Sequence, residues 1–234
     1  MFRTGIQLGF PERIMLNQRI FGPEADADSV LVLLHGFLGS GDNWTMITRL
    51  LTEVPLMVSL DLPFHGESPA EGDPSIAGMA SAVQAHLEAQ WPQRRYRVLG
   101  HSLGGKVAMA MALQGMRGLE AILVEDIVPK TYPPEHLALM DAMAALDLQS
   151  ISSRTDASRA LEPAIPNAAV RGFLLKNLVR DAQEWRWRID LDLFRDHYDS
   201  LRGWDLKGKS TLPCLLVSGS RSVYVRAEDP PVLR

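Results

Sequence analysis

The sequence predicts an α/β fold: a mostly parallel sheet wound by right-handed crossovers, with helices on both faces. Three observations predict it. Val30-Leu31-Val32-Leu33-Leu34 and Leu56-Met57-Val58-Ser59-Leu60 are apolar runs of strand length, as strands covered on both faces require. Stretches with helical periodicity separate such runs. His35, Asp61, Ser102 and Asp126 each follow a strand-like run, at the carboxyl edge where open parallel sheets bind ligands.

Taken in order, Ile14 to Phe21 alternates loosely and is expected as an edge strand, followed by an acidic turn at Glu24 to Asp28. The strand Val30–Leu34 runs into His35-Gly36-Phe37-Leu38-Gly39-Ser40. Ser40 or Asp42 is placed to cap a helix whose apolar face is Trp44, Ile47, Leu50 and Leu51. After Leu56–Leu60 comes the turn-rich loop Asp61-Leu62-Pro63-Phe64-His65-Gly66-Glu67-Ser68. Asp73-Pro74 reads as cap and first residue of a helix carrying Ile76, Met79, Val83 and Leu87 inward and stopping before Pro92.

Tyr96-Arg97-Val98-Leu99 is the next strand, and Lys106 to Leu113 the next helix. Between them Gly100-His101-Ser102-Leu103-Gly104 fits G-x-S-x-G, which in a strand-to-helix turn makes a nucleophile elbow. Ala121-Ile122-Leu123-Val124 then delivers Glu125 and Asp126, with Glu125 expected to point the other way by strand alternation. From Ile127 to about Lys207 no strong strand run appears. Helices at Pro133–Leu148 and Ala168–Arg180 suggest an inserted helical cap. Its Met and aromatic positions, Met140 and Trp187 among them, either line an acyl pocket or form the cap's own core. Leu212 to Gly219 returns to strand. Residues 1–126 and 208–234 are thus expected as the core and 127–207 as the cap.

Composition is that of an ordinary globular chain: 46% hydrophobic, 22% charged, net charge −4. Nothing in this balance suggests a nucleic-acid or anionic-membrane surface. The single cysteine, Cys214, has no internal disulfide partner and sits in an apolar run, so a buried reduced thiol is expected. The N-terminus has no signal-like apolar region, and no span of about 18 apolar residues follows, which makes cytoplasmic the default.

A serine hydroxyl becomes a nucleophile only with a base in hydrogen-bond reach and donors for the oxyanion. The donors are expected from the backbone N–H of Leu103, directly after Ser102, and from that of Phe37. Asp126 is the best-placed acid and Asp192 the reserve. His35, Gly36 and His101 flank the expected substrate position. No histidine stands where the base should follow the last strand: His197 is the final one, and His35, His65 and His101 each have a structural reading.

LLHGFLGSGDNW, DLPFHGES, GHSLGGKVAM, VEDIVP, WRIDLD and GSRSVYV together resemble the α/β-hydrolase superfamily, from about Val30 to Val225. The resemblance extends to its small bacterial carboxylesterases and their mitochondrial abhydrolase-domain relatives. It implies an eight-stranded sheet, a helical cap, no metal or cofactor, and hydrolysis of a small-molecule acyl ester or thioester. It supports Ser102, Asp126, Phe37 and Leu103 in the roles above, and admits Asp192 as the acid. Such proteins end in a strand, a histidine loop and a helix that this sequence lacks, so an open sheet edge prone to association is expected. Two alternatives stand beside the hydrolase: a lyase of the SHCHC-synthase type, for which HGFLGS and the DLPFHG loop speak, and a truncated or non-catalytic homologue. Oligomeric state is left open.

Overall fold

A computed structural model describes residues 15–23, 27–54, 56–182, 184–226 and 228–229. Ile14 and Glu24–Asp26, assigned above to a strand and a turn, lie outside the described residues. The first elements are β1 (Gln18–Phe21), β2 (Ser29–Leu34), α1 (Thr45–Leu50), β3 (Met57–Leu60) and α2 (Ile76–Gln90). After them come β4 (Arg95–His101), α3 (Leu103–Leu113) and β5 (Leu119–Glu125). A helical region follows: α4 (His136–Ala144), α5 (Arg154–Leu161), α6 (Ala168–Leu174), the hairpin β6 (Leu178–Asp181) and β7 (Glu184–Trp187), and α7 (Leu191–Arg202). β8 (Cys214–Val217) is the last described strand.

The main sheet has the order β1-β3-β2-β4-β5-β8. All its pairings are parallel except β1 with β3, where Gln18 stands opposite Leu60. The chain steps outward from β2 to β3, then crosses back over β2 to β4. The order therefore reverses between β2 and β4, and a crevice opens at the carboxyl ends of those two strands. Ser102 follows β4 and His35 follows β2, so topology alone brings the two glycine-bearing turns together.

Packing follows from the apolar runs. Val30, Val32, Leu33, Leu34, Val58 and Leu60 have essentially no exposed surface. The inward face of α2 is Ile76, Met79, Val83 and Leu87, all buried as its spacing predicts. Its cap is Ser75, whose hydroxyl accepts from the Gly78 N–H at 3.0 Å, rather than Asp73. Asp73 instead holds Ser75 through its N–H and hydroxyl, both at 2.8 Å. α3 is buried over ten consecutive residues, Leu103 to Ala112, the condition of a helix covered all round.

Several expectations are corrected. The face predicted for α1 does not reach the core: Trp44 is buried, but Ile47 and Leu50 are exposed. Cys214 is exposed, as are its strand neighbours Leu215 and Val217, because β8 is the outer strand of the described sheet and only β5 pairs with it. The described sheet has six strands, where the resemblance implies eight. The helix expected over Ala168–Arg180 ends at Leu174, and its last residues turn into β6. The region between β5 and β8 is therefore not wholly helical. The period-2 signal was present in Glu184-Trp185-Arg186-Trp187, whose exposure alternates residue by residue. Among the described residues, no helix is long and apolar enough to cross a membrane.

Candidate active site

Ser102 sits between β4 and α3 with φ 51° and ψ −115°, a conformation L residues rarely adopt. Its glycine neighbours make the turn possible. A Cβ on Gly100 would overlap the Gly104 carbonyl, and one on Gly104 would overlap the Leu34 carbonyl. A Cβ on Gly105 would stand 2.6 Å from Ile127 Cγ2, so the helix could not approach the sheet. The turn is pinned by three backbone bonds: Ser102 N–H to Glu125 O (3.0 Å), Gly104 N–H to His35 O (3.1 Å) and Lys106 N–H to Ser102 O (3.1 Å). Among the described residues the N–H groups of Phe37 and Leu103 donate to no protein acceptor, and Ser102 Oγ has no partner. Leu103 is the first residue of α3, where an N–H has no intrahelical acceptor.

A cleft of about 470 Å³ opens over this turn. His35, Gly36, Phe37, His101, Ser102 and Asp126 line it together, as their positions in the sequence predict. Leu103 lines a smaller adjoining cavity that also includes Ser102 and Phe37. Asp126 follows β5 at φ 58° and its N–H donates to Val217 O at 2.8 Å. Its Oδ1 is buried with no hydrogen-bond partner among the described residues. Glu125, expected to face away, lines the same cleft.

Three expected site residues lie elsewhere. Met140 has no exposed surface and belongs to the core, and Trp187 donates its indole N–H to Met143 O at 3.0 Å. Neither lines the cleft, so the core alternative holds for both. Asp192 is exposed in the first turn of α7, where a carboxylate suits the helix dipole, and it is not on the cleft wall. Conversely, His136, Trp44, Ile47, Phe173 and Tyr224 line the cleft and were not anticipated as site residues. A single sequence carries little signal for them, since each is an ordinary helix or loop position until the chain folds. His136 contacts the Phe37 ring at 5.5 Å between centroids, and its Nδ1 bonds Tyr198 Oη at 2.8 Å.

The loops around the cleft are held by buried polar groups. Asp61 accepts from Gly41 N–H (2.6 Å), Glu67 N–H (2.8 Å), Asn17 Nδ2 (2.7 Å) and Arg19 Nη1 (3.2 Å). Burial opposes its charge, but these donors outweigh burial and lower its pKa. Leu62 N–H donates to His35 Nε2 at 3.0 Å, so the other ring nitrogen, Nδ1, carries the proton and donates to Gly36 O at 2.8 Å. Burial lowers His35 to about 4 and His65 to about 3, leaving both rings neutral. His65 Nδ1 is 3.0 Å from Pro63 O. These two histidines brace loops. None of the six histidines of the sequence is bonded to Ser102 or Asp126.

Lys106, one turn beyond Ser102, is also buried. Its ammonium donates to the carbonyls of Leu201 (3.2 Å), Arg202 (2.7 Å) and Gly203 (2.7 Å), at the C-terminal end of α7. Burial and nearby Arg202 lower its pKa to about 7. Among the described residues, no group of three His, Cys, Asp or Glu side chains is placed to hold a metal ion.

Comparison with known proteins matches residues 31–234 to the model of the alpha/beta hydrolase family. The chain is 32% identical over 221 residues to the sn-1-specific diacylglycerol lipase ABHD11 of Mus musculus, covering 89% of this chain and 72% of that protein. It is 28% identical to esterase YbfF of Escherichia coli strain K12, over 85% of this chain and 76% of that one. Among solved structures, a marine microorganism esterase superposes with a TM-score of 0.87 at 28% identity, covering 94% of this chain and 86% of that one.

Proposed function

The chain belongs to the alpha/beta hydrolase family, and we propose that it hydrolyses carboxylic esters or acyl thioesters through an acyl-enzyme on Ser102. The observation that carries this reading is the strained Ser102 turn, facing a cleft, with two undonated backbone N–H groups beside it. Ser102 Oγ attacks the acyl carbon while its proton passes to an imidazole base; none of the six histidines is bonded to Ser102, so for this chain the base is imidazole supplied from solution. The carbonyl oxygen becomes an oxyanion and rests on the N–H groups of Leu103 and Phe37. Losing one such donor typically costs about 10²–10³ in rate. The intermediate collapses, and the alcohol or thiol leaves with the proton. Water then attacks the acyl-serine by the same route, releasing the acid and restoring the hydroxyl. This chemistry needs no metal or cofactor.

In this reading the unpartnered Oδ1 of Asp126 orients the imidazole that enters from solution, and residues 127–207 form the cap over a core of 1–126 and 208–234. The substrate is a small-molecule ester. The relatives named esterase and lipase agree with this assignment.

A p-nitrophenyl phosphonate tests it. We expect covalent labelling of Ser102, faster when free imidazole is added to the 234-residue chain, and absent in Ser102→Ala. Asp126→Asn should blunt the imidazole effect. Labelling that survives Ser102→Ala overturns the assignment. Pyruvate elimination without ester turnover would assign the lyase instead, and ester binding without labelling would assign a binding protein.

A further inference from the structure

Beside the Ser102 cleft lies a second bay of about 630 Å³, between the turn at residues 38–43 and the segment from α5 to β7. Asn43 and Phe173 line both, so the two cavities share a wall. Three cationic side chains from three separate elements line the bay: Arg154 at the start of α5, Lys176 in the turn after α6, and Arg188 just past β7. The hairpin and turn are tied by Arg188 N–H to Asn177 O at 2.8 Å, and Asn177 Nδ2 donates to Leu38 O at 2.8 Å. The arrangement is therefore set by the fold.

The charges of these cations are poorly compensated. Arg154 directs Nε (3.2 Å) and Nη2 (2.8 Å) to the neutral carbonyl of Leu178. Lys176 is exposed and has no ion pair among the described residues. Arg188 Nη1 meets the solvated Glu67 at 3.2 Å, but its Nε is buried without a hydrogen-bond partner. The one carboxylate on the wall, Asp42, is paired with Arg19 at 2.8 Å. A concave site with excess positive charge and a desolvated guanidinium donor favours an anion with oxygen acceptors.

We propose that this bay binds a terminal anionic group, carboxylate or phosphate, of an ester whose carbonyl sits at Ser102. The proposal rests on Ser102 being the nucleophile. The apolar ring of Phe173 would border the part of the substrate that joins the two ends.

The test compares three phosphonate probes on the intact chain: one with an uncharged alkyl arm, one ending in a carboxylate and one ending in a phosphate. Wild-type Ser102 should label about tenfold faster with a charged arm than with the neutral one, a difference of one decade in effective affinity. The ratio should fall toward one in Lys176→Met and in Arg188→Met, and in high salt. The larger of the two charged ratios identifies the group. A ratio of one in the wild type overturns the anion bay while leaving Ser102 as nucleophile. If no probe labels Ser102, that assignment fails by itself, and calorimetric titration with inorganic phosphate and glutarate decides the bay. Saturable binding lost in both variants sustains it, and no binding removes it.

Discussion

Ser102 is held at a positive φ by its neighbours, and that strain has a measurable cost. Non-glycine residues in sparsely populated backbone regions cost about 1–3 kcal/mol, offset elsewhere in the fold. Ser102→Ala keeps the strain and removes only the hydroxyl. Ser102→Gly removes both, although glycine loses about 0.5–1 kcal/mol through the freedom of its unfolded chain. The strain term is the larger, so Ser102→Gly should be more stable than Ser102→Ala by about 1 kcal/mol in urea denaturation. Equal stabilities would mean that the turn is relaxed. This turn was legible in the sequence because glycine is demanded at Gly100 and Gly104 by close backbone contacts, and at Gly105 by the Ile127 side chain together with the Gly100 carbonyl. Asp126 was legible for a similar reason, since a strand end fixes its position. Met140 was not: an apolar residue at helical spacing looks the same whether it faces a pocket or the core.

At the scale of elements, the junction between α3 and α7 depends on one side chain. Lys106 offers its ammonium hydrogens to three carbonyls that end α7, the negative end of that helix. Arg202 adds a bond from Nη1 to Tyr132 O at 2.7 Å, and Tyr132 N–H returns one to Arg202 O at 3.0 Å. Replacing Lys106 by Met keeps most of the volume but takes that donor from the Leu201 and Gly203 carbonyls, while Arg202 O keeps the Tyr132 N–H. An unsatisfied buried polar group costs about 1–3 kcal/mol, so Lys106→Met should lower stability by on the order of 2 kcal/mol. Amide exchange should quicken in the last turn of α7, where the Lys106 ammonium is bonded, more than in α2. A uniform change in exchange would show that α7 is not anchored there. The sequence placed Lys106 on a helix, but its partners lie 95 residues or more away, and no local pattern encodes such a pairing. The hairpin β6–β7 escaped for the opposite reason: its signal is local, but four residues of alternation are too short to outweigh the helical pattern beside them.

For the whole molecule, the loops that join β2 and β3 to the site rest on histidines that must stay neutral. In the unfolded chain a histidine titrates near 6.5, whereas His35 titrates at about 4 and His65 at about 3 in the fold. Between those limits the unfolded chain binds more protons, so stability is full above about 6.5 and falls as pH drops. Each ring contributes a slope of up to about 1.4 kcal/mol per pH unit. By pH 4 the two together would remove roughly 6 kcal/mol, which is comparable with the total stability of a typical domain, about 5–15 kcal/mol. Asp61 acts in the same direction but later. Its folded pKa is depressed, so its contribution is present above the ordinary carboxylate pKa and is lost only as pH falls below it. Urea denaturation at about pH 7, 5.5 and 4.5 should therefore show a midpoint that falls steadily, well before carboxylates protonate. A midpoint unchanged down to about pH 4.5 would mean that His35 and His65 carry their protons in the folded state. The loss should also begin at the site: both rings lie in the loops after β2 and β3, and His65 packs against Phe194 of α7 at 4.6 Å between centroids. Charging His65 places an ion in a buried pocket where its Nε2 has no hydrogen-bond partner among the described residues, so α7 should loosen with the loops before the central strands open.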